Sequence, residues 1–140
     1  MSDKATSDKA VEIKTELRHH TGSLERFRHI LGGGKVIYTP GVQDMAERCG
    51  AWWLVDAIAS HIVTNKKLRD DYDLYFWKLT KNKEGSGATL ICTNGDTGPD
   101  RVVHARKKIE FTDFPLDEIE VWQGSAGQEG VFTLYLPSEH

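Results

Sequence analysis

From Val42 to Ile62 apolar side chains return every three or four residues, the spacing of one face of an α-helix. Val42, Met45, Ala46, Cys49 and Trp53 form one row; Leu54, Ala57, Ile58 and Ile62 continue on a rotated face. Thr39-Pro40 supplies a helix start: a hydroxyl that accepts from the first free amides, then a proline at the first helical position, where no N–H is required. Gly50 falls between the two rows, and a glycine inside a helix costs about 1 kcal/mol relative to alanine. Segment 40–63 is therefore one bent helix or two helices meeting near Gly50. Its second half is apolar on both sides and is predicted to be the central buried helix.

Beyond Asp71 the period falls to two. Tyr72–Leu79, Ala88–Thr93, Val103–Phe111, Ile119–Trp122 and Val131–Leu136 read as strands, separated by the turn residues Asn94–Pro99 and the loop Gly124–Gly130. Helices first and strands afterwards define an α+β class: N-terminal helices, with the central helix packed on a four- to five-stranded, mainly antiparallel meander sheet. Ahead of these lies a short, mostly exposed helix carrying Val11, Ile13 and Leu17 and ending near Gly22. Ser23–Ile30 fits a helix capped by Ser23 or a strand paired across Gly32-Gly33-Gly34 with Lys35–Tyr38, and the pattern does not decide between them. Residues 1–10 hold Ser-Asp-Lys-Ala twice with no apolar face and are expected to be a disordered tail, leaving 11–140 as a single domain.

Composition narrows the class without selecting a function. The chain has 140 residues, 39% of them hydrophobic, and a formal charge of −3, which suits one domain with a core. A mildly acidic chain of pI about 6.1 disfavours a general nucleic-acid binder. No run approaches the roughly 18 apolar residues that span a bilayer, and the N-terminus has no apolar core of a secretory signal, so no membrane is expected and the expected location is cytoplasmic. Cys49 and Cys92 have no CxxC partner and no flanking ligand histidines; they are expected to be buried free thiols, with no metal and no cofactor implied.

Several residue groups carry a chemical reading. Gly32-Gly33-Gly34-Lys35 lacks the Ser or Thr and the following helix of a phosphate loop, and reads as a hairpin turn. Asn94, Asp96 and Asp100 resemble part of a calcium loop, but the twelfth position is Ala105, so they read as a turn. Asp56 and His61 are polar residues in the most apolar segment; with His104 and Asp113 they are the catalytic candidates, an acid and a base beside a pocket. Five helical positions turn side chains about 140° apart, so Asp56 and His61 need not meet. Arg26, Arg28 and His29 belong to the basic run Arg18–Lys35, which would bind anions or pair with the acids of Glu110–Glu120. Trp52, Trp53 and Trp122 are the candidate contact residues, since indoles are enriched at interfaces.

Tyr38-Thr39-Pro40-Gly41, the run Ala51–His61, Trp77-Lys78-Leu79, Phe111–Leu116 and Leu136-Pro137-Ser138-Glu139 follow one another in an order that resembles a family of small uncharacterised proteins, a domain of unknown function found in bacteria, phages and plasmids. The resemblance covers residues 15–140 and implies an accessory protein of a mobile element, without a site residue. The expectation is a soluble, non-catalytic module that binds an unidentified protein partner, with a homo-oligomer also allowed. Two alternatives stand beside it: a small enzyme or ligand-binding domain with a pocket near Asp56 and His61, and a weak nucleic-acid binder through Arg18–Lys35.

Overall fold

A computed structural model describes residues 2–22, 25–29, 34–69, 72–127 and 130–140, with side chains from residue 8 onward. Helix α1 spans Ser2–Arg18, and the pair β1 (Phe27–Arg28) and β2 (Val36–Tyr38) follows. Helices α2 (Pro40–Arg48) and α3 (Trp52–Thr64) come next. Strands β3 (Leu74–Lys81), β4 (Ala88–Thr93), β5 (Val103–Ile109), β6 (Glu118–Ser125) and β7 (Phe132–Tyr135) complete the chain.

Local chemistry explains the helices. Thr39 caps α2, its hydroxyl accepting from the Val42 amide at 3.3 Å, and Pro40 takes the first turn. The question left open at Gly50 resolves as two helices: Gly50 has φ 58°, the left-handed conformation that ends a helix, and α3 begins two residues later. Helix α1 starts at Ser2, within the segment expected to be a tail, because nothing from Ser2 to Arg18 breaks a helix; Ala10, Ile13 and Leu17 pack on the core.

The α+β class is as expected, but the sheet is not a four- to five-stranded antiparallel meander. It is mixed, with seven strands among the described residues in the order β1-β2-β7-β6-β3-β4-β5. Two features account for the difference. Residues 27–28 and 36–38 form the antiparallel pair β1–β2, and β2 then runs parallel to β7, with Val36 opposite Phe132. The chain also does not step from β5 to its neighbour: β6 returns beside β3, so β3 to β6 form a Greek key whose long connection is residues 110–117. Phe114 and Leu116 anchor that connection in the core. Of the predicted glycine turn, Gly32 and Gly33 lie outside the described residues, as do Ser23 and Ile30.

The pleat divides the sheet sharply. Tyr75, Trp77, Leu79, Leu90, Cys92, Val121 and Leu134 all point to one side and are buried with Leu54, Val55, Ile58 and Ile62 of α3. Ile58 is fully buried, as a central helix requires, although Trp52, Trp53, Asp56 and Ala57 keep the outer side of α3 half-exposed. A buried polar contact fixes this core: the Trp77 indole donates to Gln123 Oε1 at 2.9 Å, and Gln123 Nε2 donates to the Leu68 carbonyl at 2.6 Å. On the opposite side of the sheet, Tyr135, Trp122, Phe76, Lys78, Glu120, Ile91 and Arg106 are exposed or half-buried, and His140 packs there on Tyr135 and Trp122.

Candidate functional site

Asp56, on the outer side of α3, meets His29 at the end of β1: Nε2 of the ring and Oδ1 of the carboxylate are 2.8 Å apart. His29 is buried, with only 5% of its side chain exposed, while 49% of Asp56 is open to solvent. The edge of the His29 ring lies against Tyr38 at 6.4 Å, and Tyr38 contacts Trp52 at 5.6 Å. Three of the residues nominated from sequence, His29, Trp52 and Asp56, thus share one corner between the β1–β2 pair and α3.

The remaining candidates are dispersed. The imidazole of His61 hydrogen bonds through Nδ1 to the Ala57 carbonyl at 2.7 Å and packs edge-on against Trp77, so it serves its own helix and the core and does not join Asp56. His104 lies between the rings of Tyr72 and Tyr75, and Asp113 is exposed in the β5–β6 connection. Arg26 donates to the Glu25 carbonyl at 2.7 Å, and Arg28 is exposed on β1. Within the basic run, His20 faces Asp44 at 3.0 Å and His29 faces Asp56; Arg18 lines the same cleft as Glu118 and Glu120. Trp53 is half-buried on α3 and packs against the core.

Trp122 lies on the open face, in a strip that sequence reasoning did not assemble. Register sets Tyr135, Trp122 and Phe76 side by side on β7, β6 and β3. Trp122 contacts Phe76 at 5.0 Å, Tyr135 at 6.2 Å and His140 at 5.1 Å. Its indole nitrogen is buried among these rings and meets no hydrogen-bond acceptor among the described residues. Beside the strip Lys78 pairs with Glu118 at 3.2 Å, and a cleft of about 410 Å³ is lined by Phe76, Lys78, Ile91, Arg101, Glu120 and Trp122. The signal in the sequence was Phe76 itself, an aromatic residue in the alternate row of a strand whose other row, Tyr75, Trp77 and Leu79, fills the core.

A third arrangement involves the last residues. The Glu139 carboxylate accepts from the Thr39 hydroxyl at 2.7 Å, the Gly41 amide at 3.3 Å and the Leu136 amide at 2.9 Å. Because Thr39 Oγ1 also accepts from Val42, the hydroxyl relays the start of α2 to the carboxylate, an anion placed at a helix N-terminus. Gly41 is required by this approach, since a Cβ there would collide with the carboxylate.

The chemical potential of the thiols is low. Burial pushes Cys92 up to about 12 and Cys49 up to about 11, the reverse of an activated nucleophile, and both are free. The Asn94–Asp100 turn is organised by Asn94, whose Oδ1 accepts from the Asp96 and Val102 amides. Among the described residues no group of three or more His, Cys, Asp or Glu side chains is placed to hold a metal ion, and no helix is long and apolar enough to cross a membrane.

The chain belongs to the family of unknown function DUF6876, whose profile matches residues 11–140. No curated protein and no solved structure matches it. The sequence strings that carry the family resemblance have structural roles here: Thr39 and Gly41 close on Glu139, Trp77 and Leu79 enter the core, and Phe114 and Leu116 anchor the Greek-key connection.

Proposed function

We propose that the protein is a non-catalytic, soluble cytoplasmic module that binds a protein partner through the open face of its sheet. One observation carries this reading: Tyr135, Trp122 and Phe76 form a half-buried aromatic row, bordered by the exposed Lys78 and Glu120, on the side of the sheet opposite the buried core. Interface centres are enriched in aromatic side chains with charges at the rim. The same reading takes the module as an accessory protein of a phage or mobile element, following the resemblance described above.

The test is a comparison of variants. A partner recovered from a host lysate and purified is titrated calorimetrically against the wild-type chain, Phe76→Ala, Lys78→Glu and the control Val11→Ala on α1. The open-face variants are expected to weaken binding by about tenfold or more, with unchanged circular dichroism, and the control to bind normally. A partner that binds all four chains equally refutes the assignment to this face.

A second reading, a small enzyme or ligand-binding domain, draws on the 2.8 Å contact between His29 and Asp56 beside Tyr38. A small-molecule fragment screen in which no compound shifts the ring signals of His29 and Tyr38 removes it. The nucleic-acid reading has less support, because His20 and His29 of the basic run already face acids.

A further inference from the structure

Strand β5 is the end strand of the sheet: it pairs with β4 on one side and, among the described residues, with no strand on the other. An exposed edge of seven residues offers a row of backbone donors and acceptors to any extended chain. We propose that this edge takes up an extended acidic segment of a partner protein as an additional strand.

Charge selects the occupant. From Arg101 to Ile109 the chain carries Arg101, Arg106, Lys107 and Lys108 and no acidic residue, within a protein whose net charge is −3. All four cations are exposed. The pleat puts Arg106 and Lys108 on the open face with Ile91 and Thr89, and Lys107 on the other face with Leu90. Acids on either side of an incoming strand therefore meet a cation directly opposite or diagonally. Apolar anchors stand at both ends: Val102 and Val103 are 41% and 40% exposed, and Phe111, just past the strand, is 73% exposed. Cations alone would serve only to keep edges apart; exposed apolar side chains at both ends reward a chain that pairs.

A second copy of this chain is a poor occupant. Antiparallel pairing of two β5 strands about Arg106 would set Arg106 opposite Arg106 and each Lys108 diagonal to the other strand's Arg106, placing like charges against one another. A polyanionic nucleic acid would meet the cations but leave the backbone row and the anchors unused. Strand addition uses all three features.

This inference concerns the edge and goes beyond the open-face reading, so separate variants test the two. The probe is a fluorescein-labelled peptide of alternating Glu and Val, about seven residues long to match the strand; its controls are the Lys and Val counterpart and a single-stranded oligothymidylate. Fluorescence anisotropy gives affinity, and amide shifts of the isotope-labelled full chain give location. The acidic peptide is expected to saturate, with its largest shifts on residues 103–109. Lys107→Glu with Lys108→Glu is expected to weaken it about tenfold or more, as is raising the salt from about 50 to about 500 mM, while Phe76→Ala leaves it unchanged. Absence of saturable binding, shifts centred on Phe76 and Trp122, equal binding of the basic peptide, or displacement by the oligothymidylate at lower concentration would each overturn the proposal. None of those results except the second bears on the open face, and that one would support it.

Discussion

Gln123→Met isolates the polar contact at the centre of the core. Gln123 is fully buried and holds two groups at once, accepting from the Trp77 indole at 2.9 Å and donating to the Leu68 carbonyl at 2.6 Å. Methionine matches its length and apolar bulk, so little cavity is created, but the indole N–H and the carbonyl both lose their partner in a dry site. Each orphaned group costs about 1–3 kcal/mol, and the expected loss is about 3 kcal/mol. For a chain of this size that lowers the melting temperature by roughly 10 °C. Urea denaturation followed by far-ultraviolet circular dichroism measures the loss directly. The partition is testable in a double-mutant cycle: with Trp77→Phe already present only the carbonyl is orphaned, and the same Gln123→Met change should cost about 1–2 kcal/mol. A loss below about 0.5 kcal/mol, or an equal loss in both backgrounds, would refute the argument that these bonds are made and dry.

The other predictions are as local. Glu139→Ala frees the Thr39 hydroxyl and the Gly41 and Leu136 amides, and is expected to cost about 1–2 kcal/mol in thermal or urea unfolding. Gly41→Ala should destabilise the same end of α2 by displacing the carboxylate, and to lose that penalty when combined with Glu139→Ala. At pH 8 a thiol raised from 9.0 to about 12 has roughly a thousandth of its ordinary thiolate fraction, so Cys92 should react with a disulfide reagent only when the chain opens. The native state holds both thiols neutral, so the stability they protect is intact below pH 9, where unfolded thiols ionise, and declines toward pH 11–12; Cys92→Ala should flatten that slope in unfolding free energies measured across the range. Asp56→Ala removes the carboxylate that faces His29 Nε2 and should cost about 1–2 kcal/mol; an unchanged melting temperature would show that the contact is not part of what holds β1 to α3.

What could be read from the sequence was what neighbouring residues decide. The start at Thr39-Pro40 and the break at Gly50 are written in cap and backbone chemistry, and both are found where the residues place them. Alternation located β3 to β7 to within a few residues, because burial on one face imposes a period of two. The pairing of those strands was not legible. Strand β2 is only three residues long and its neighbour β7 lies almost a hundred residues onward, so no local pattern contains their register. Val103–Phe111 reads as a strand, which ends at Ile109, and no pattern marks the residues between it and Ile119; only Phe114 and Leu116, both buried, anchor that connection in the core. The same limit applies to the sites. Asp56 and His29 were each singled out, but their contact spans 27 positions between elements whose docking is set by the whole core. The aromatic row on the open face needed the β3–β6 and β6–β7 registers before Phe76, Trp122 and Tyr135 became neighbours.

The parallel seam between Val36–Tyr38 and Phe132–Leu134 sets a schedule for synthesis. On the ribosome β2 has no flanking strand but β1 until β7 has left the exit tunnel, so the N-terminal third must wait, unpaired on that side, while the rest of the sheet is made. Closing so large a loop carries a chain-entropy cost that folds with local contacts escape. A stalled nascent chain that stops short of Phe132 should therefore leave Val36–Tyr38 open to protease, and release of β7 should close that strand in a single step.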